Sequence, residues 1–186
     1  MLNRRTILAL AMLIWGSSAG VAAAEHERDY EFRGTHLALS IERFMGVDYT
    51  DFEGPEKGSV SARFLLNASE PVPTTLGRFG FDVFIRRFSV GLAGGVTSKG
   101  VGVIAPRVGY MFGLTPTVGL WLRGGGFYAD AGPKYVGVTG EVLLNWFPWS
   151  HFALHIGPTI DLAFANERNP DYVSFGIAEF GMTAWL

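Results

Sequence analysis

Residues 151–164, HFALHIGPTIDLAF, set the tightest limit on what this chain can fold into. Phe152, Leu154, Ile156, Pro158, Ile160, Leu162 and Phe164 form one unbroken apolar row, while the alternate row carries His151, His155, Thr159, Asp161 and small residues. A period of two means an extended strand, whose side chains point alternately to the two faces of a sheet. One wholly apolar row backed by isolated ionisable groups fits a wall between lipid and a polar interior.

The pattern recurs along the chain. Residues 35–47 alternate until Arg43-Phe44, where a bulge is expected. Phe79, Phe81, Val83 and Ile85 then oppose Arg78, Gly80, Asp82 and Phe84, and Arg86-Arg87 makes a tight turn. Similar rows follow at Phe88–Val96, around Arg107, around Arg123, around Glu141, in residues 151–164 and in residues 171–186. Short turns at Leu114-Thr115-Pro116 and Phe147-Pro148-Trp149 alternate with longer connections. The expected fold is all-β, an eight-stranded antiparallel up-and-down transmembrane β-barrel over residues 35–186. Residues 48–74 form its long first surface loop, and the ninth apolar piece, VSARFLLN, is kept out of the wall because single-chain bacterial barrels have an even strand number. Pro106 and Pro158 lack a ladder donor and are expected to break the pairing locally.

The first 24 residues read as a signal peptide: Arg4 and Arg5, an apolar run too short to span a bilayer, then Ala22-Ala23-Ala24 before charged residues. Residues 25–34 are expected to be an N-terminal periplasmic tail. Removing the signal leaves 13 basic residues (15 − 2) against 17 acidic ones, a formal charge of −4, and no basic patch that would bind nucleic acid. The absence of cysteine excludes a lipidated N-terminus and a disulfide framework. A soluble barrel with its apolar rows inside is the alternative. Against it, the polar rows are mostly Gly, Ala, Ser and Thr, and Lys57, Lys99 and Lys134, the only lysines, all lie in or beside connections. Aromatic residues also gather at the two ends: Phe84, Phe88, Phe112, Trp146, Phe147, Trp149, Phe152 and Trp185 at the short turns, Tyr128, Tyr135, Phe164 and Tyr172 at the longer loops.

Together these residues resemble the small eight-stranded bacterial outer-membrane β-barrels, the group that includes the transmembrane part of outer membrane protein A. The terminal residues Phe180, Met182, Ala184 and Leu186 match the family's alternating end signal, with Leu186 in place of its usual Phe. The resemblance implies export to the bacterial outer membrane, contact with outer-membrane lipid and with the barrel assembly machinery, and a monomer; it names no surface partner.

With the apolar rows facing lipid, Glu42, Arg78, Asp82, Arg107, Arg123, Glu141, His155, Asp161 and Glu179 face inward. An eight-stranded barrel is just wide enough for side chains to fill it, so these groups are expected to form an interior polar network of salt bridges and hydrogen bonds. Five acids against three arginines would favour cations in a narrow pore, but Phe84, Met111, Trp121 and Phe127 also point inward and would obstruct it. A lipid-modifying enzyme is the remaining alternative, and no Ser–His pairing suggests an activated nucleophile. The expectation is therefore a barrel with a structural or surface-interaction role, a plugged interior, and no catalytic residue, cofactor or metal site.

Overall fold

A computed structural model of the chain describes residues 34–52, 58–64, 77–96, 102–115, 117–149, 151–165 and 170–186. The expected signal peptide and nearly all of the N-terminal tail lie outside the described residues. Nine strands follow one another: β1 (Thr35–Phe52), β2 (Ser59–Phe64), β3 (Arg78–Ile85), β4 (Phe88–Val96), β5 (Gly102–Thr115), β6 (Val118–Asp130), β7 (Lys134–Trp149), β8 (Phe152–Ala165) and β9 (Tyr172–Trp185). All but β2 form an antiparallel ring, β1-β3-β4-β5-β6-β7-β8-β9, closed by pairing of β9 with β1. At the closure, Leu186 N donates to Leu37 O at 2.8 Å and Leu37 N to Leu186 O at 3.3 Å.

The register defines the barrel's tilt. Ala38 pairs with Asp82, then Gly91, Arg107, Gly125, Thr139, Asp161, Ser174 and finally Thr50, so one circuit returns to β1 displaced by 12 residues (50 − 38). That is about 40 Å along a strand, against eight interstrand steps of about 4.8 Å, which corresponds to a tilt of about 45°. Outward positions are apolar, and several large ones are more than half exposed, including Phe79, Ile85, Phe88, Val136 and Phe164. No helix among the described residues is long and apolar enough to cross a membrane, so any crossing by these residues is made with strands.

Three local features depart from a regular wall. Glu42 and Arg43 are both buried, because Arg43 adopts a left-handed conformation (φ 51°) and the β1–β9 register shifts between Ile41 and Met45. Beyond that bulge β1 continues to Phe52, so the first loop begins after residue 52 rather than at 48. Asp48, the first residue of the expected loop, points into the polar interior. Part of VSARFLLN is strand β2, which pairs with the far half of β1 (Met45↔Phe64 to Thr50↔Ser59), along the same edge whose near half pairs with β3. The rest of 48–74 lies outside the described residues. At the prolines the pairing is disturbed as their missing donors require: the β5–β6 register lacks pairs at Ala105 and Pro106, and the β8–β9 register shifts between Gly157 and Thr159. Strand β7 runs through Phe147-Pro148-Trp149 to pair Trp149 with Phe152, so the turn falls just after the expected place.

Candidate functional site

The interior is layered along the barrel. At the short-turn end Phe84, Met111, Trp121, Leu143, Phe147 and Trp185 pack together, with Phe84 4.5 Å from Trp185 and 5.1 Å from Trp121 between ring centroids. At the end of the longer connections a second cluster contains Val103, Phe127, Tyr135 and Tyr172 with small alanines, and the rings of Tyr135 and Tyr172 are 5.1 Å apart. Five rings expected in the membrane-interface belts, Phe84, Phe147, Trp185, Tyr135 and Tyr172, therefore belong to these interior layers. Their inward phase, not their height, decides their neighbours.

Between the apolar layers lies a continuous chain of alternating charges. Arg107 donates from Nε to Asp82 Oδ1 at 3.0 Å and from Nη2 to Glu42 Oε1 at 2.7 Å, and its other contacts to the same two carboxylates make both pairings bidentate. Arg123 joins Glu42 Oε1 at 2.6 Å to Glu141 Oε2 at 2.5 Å. Arg43 continues from Glu141 Oε1 at 2.8 Å to Asp161 Oδ2 at 2.6 Å and also donates to Thr139 Oγ1 at 3.1 Å. The order is Asp82–Arg107–Glu42–Arg123–Glu141–Arg43–Asp161, from β3 through β5, β1, β6, β7, β1 and β8. Arg78 is also buried and lines a cavity of about 10 Å³ with Arg107, Arg123, Thr139 and Glu141, enough for about one water. It brings the arginines to four against the chain's four carboxylates.

Each expected interior residue is buried, but not all join this chain. His155 meets the Thr183 hydroxyl at 3.4 Å through Nδ1 and lies against Gly181, where any Cβ would overlap its ring. Glu179 occupies space over Gly46 and Gly176; an added Cβ on Gly46 would stand 2.6 Å from Oε1. Gly80 and Gly91 similarly make room for Arg107 and Asp82. These inward glycines leave volume on one strand for long charged side chains from its neighbours.

Arg43 is the functional residue that regular alternation misses. On an unbroken strand Glu42 and Arg43 would point to opposite faces, leaving one charge in lipid. A lipid-facing arginine costs about 2–4 kcal/mol at the bilayer midplane, whereas one residue in the left-handed region costs about 1–2 kcal/mol. Two adjacent charges in the middle of a wall strand were thus a readable signal for an inward bulge. Among the described residues no group of three His, Asp or Glu side chains is placed to hold a metal ion.

A closed antiparallel ring of eight tilted strands, apolar outside and filled inside, defines this chain as a small transmembrane β-barrel of the outer-membrane type. Its fold is similar to that of Neisserial surface protein A, with a TM-score of 0.54 at 10% sequence identity over 81% of this chain and 96% of that one. The N-terminal β-barrel domain of Pseudomonas aeruginosa OprF aligns with a TM-score of 0.45 at 9% identity, covering 83% of this chain and 98% of that one. Ail, the attachment invasion locus protein of Yersinia pestis, aligns with 0.46 at 10% identity, covering 82% and 99%. No family model and no curated protein matches the sequence.

Proposed function

We propose that this protein is exported to the bacterial outer membrane and serves there as a closed, monomeric scaffold for surface contacts, neither a solute channel nor an enzyme. The observation that carries this reading is the layered interior, in which apolar side chains cap the charged layer on both sides and the adjoining cavity has room for about one water. A steady ion path would need a continuous wet lumen, and the paired charges are instead engaged with one another. Catalysis at His155 would need substrate access, and that ring is 2% exposed. Binding functions concentrate on loops held by rigid scaffolds. The longer connections all lie at the end opposite Thr35 and Trp185, where the β1–β2 hairpin also stands. We assign that end to the cell surface, with outer-membrane lipid and the assembly machinery as the barrel's partners.

Purified, folded protein should show heat-modifiable migration on a gel, fractionate with the outer membrane, and give no stepwise conductance in planar bilayers. Sustained cation-selective steps from the folded monomer would overturn the closed-scaffold reading, and recovery as a soluble periplasmic monomer without detergent would overturn the membrane assignment.

A further inference from the structure

The ionic layer borders one small cavity, and the lining narrows what can sit there. Arg78, Ala105, Arg107, Arg123, Thr139 and Glu141, from β3, β5, β6 and β7, enclose about 10 Å³, room for one molecule the size of water. All six residues are buried. The room has a cause in the network itself. Arg107 is drawn towards β3 and β1 by Asp82 and Glu42, and the head group of Arg123 towards Glu42 and Glu141. Short side chains, Ala105 and Thr139, stand beside the space they leave.

Two polar atoms of this lining have hydrogen-bonding capacity that the network does not use. Arg123 commits its two Nη groups to Glu42 and Glu141, while its Nε–H, on a side chain 2% exposed, meets no acceptor among the described residues. Glu141 Oε2 lies 2.5 Å from Arg123 Nη2 but takes no well-aligned hydrogen bond. A buried donor left without an acceptor carries its full desolvation penalty. A molecule that both accepts and donates answers the two atoms at once, and water does so with the Thr139 hydroxyl as a third polar neighbour. Charge decides against an ion. In this layer Arg43, Arg78, Arg107 and Arg123 face Glu42, Asp82, Glu141 and Asp161, so an added halide would leave one buried charge without a counterpart, and a cation would meet three guanidiniums. A neutral molecule leaves the balance as it is.

We propose that this cavity is a binding site for a single water molecule, which accepts from Arg123 Nε, donates to Glu141 Oε2 and so belongs to the ionic layer as a fixed member. A dry void and a hydrated site respond oppositely to filling. In a dry void added methyl groups gain contacts and raise stability. At a hydrated site they expel the water and strand the Arg123 donor. Ala105→Val adds two methyl groups at the cavity's edge, and Ala105→Ser adds a hydroxyl that can replace the water as acceptor. With protein refolded in lipid vesicles and titrated with urea, Ala105→Val should unfold at a lower midpoint than the parent, and Ala105→Ser at a higher midpoint than Ala105→Val. A second measurement needs no variant to fold: in the parent, carrying isotope-labelled arginine in detergent micelles, the Arg123 Nε–H should show magnetic cross-relaxation with a long-lived water. No such contact in the parent, or an Ala105→Val midpoint above the parent's, would make the cavity a dry void and overturn the proposal. A parent midpoint that is higher in chloride than in gluconate at equal ionic strength, with the difference absent from Ala105→Val, would assign the site to an anion and overturn it as well.

Discussion

Arg43→Met removes an arginine that binds two carboxylates, one from β7 and one from β8, while keeping a side chain of comparable reach. The arginine makes hydrogen bonds to Glu141, Asp161 and Thr139. Their loss falls unequally. Glu141 keeps Arg123 at 2.5 Å, whereas Asp161 has no other ion pair among the described residues and is 1% exposed. Breaking a buried pair from one side costs about 3–5 kcal/mol, most of it the penalty of the stranded charge. The expected loss is therefore about 3 kcal/mol or more, read from urea titration of protein refolded in lipid vesicles and followed by tryptophan emission. Two controls separate charge from backbone. Arg43→Gly suits the left-handed conformation and should differ from the methionine variant by only about 1–2 kcal/mol, the cost of that conformation for other residues. Arg43→Met combined with Asp161→Leu removes the stranded carboxylate and should recover most of the loss. A single variant within about 0.5 kcal/mol of the parent, the scatter expected for substitutions that touch nothing special, would refute a dry, paired interior. A double variant no better than the single would mean that the bulge, not the charge, carries the effect.

Other consequences follow from the same network. Arg107→Met strands Asp82 and should approach the Arg43→Met loss, whereas Arg123→Met should cost less because Glu42 keeps Arg107 and Glu141 keeps Arg43; the order of urea midpoints tests this. Gly181→Ala forces a Cβ into the His155 ring and should destabilise the barrel by about 1–3 kcal/mol, with His155→Ala in the same chain restoring the midpoint. Trypsin added to intact cells should cut after Lys57 while the barrel persists; a cut that appears only once the outer membrane is opened would show the opposite orientation.

The wall was legible because lipid permits one kind of row: the apolar residues of β7 and β8 keep a strict period of two, and the structure pairs them as that period demands. What alternation cannot carry is a change of phase. One left-handed residue at Arg43 sends two consecutive charges inward, and an extra β9 residue opposite the Pro158 region moves the inward set from Tyr172, Ser174 and Gly176 to Glu179, Gly181 and Thr183. The first loop begins later than its acidic residues suggest, for a related reason. Asp48 and Asp51 look like loop residues only if both faces of a strand must be apolar, but Asp48 belongs to the polar lumen and Asp51 lies exposed near the strand's end. The partners of Arg43 were not legible, since they come from β7 and β8, about 100 residues away, and depend on how the register closes.

The proposal of a plug over a pore draws its support from the inward rows, once they are read along their length and not merely counted for charge. Strand β6 places Trp121, Arg123 and Phe127 in succession on one row, and β7 places Tyr135, Glu141 and Phe147. A water-filled channel has no reason to put its charges only at mid-height with bulky rings above and below. A closed barrel does, because apolar caps exclude water from the centre and strengthen each ion pair that remains there. Exclusion also makes any unpaired charge expensive, so the carboxylates and arginines must be matched across the lumen by strands far apart in sequence. Arg43 makes the longest of those connections, from β1 to β7 and β8, and the backbone bulge that sends it inward costs less than leaving its charge in lipid. The Arg123 guanidinium lies 4.3 Å from the centre of the Trp121 ring, tying the ionic layer to the cap below it, so the charged layer and the apolar plug hold one another in place.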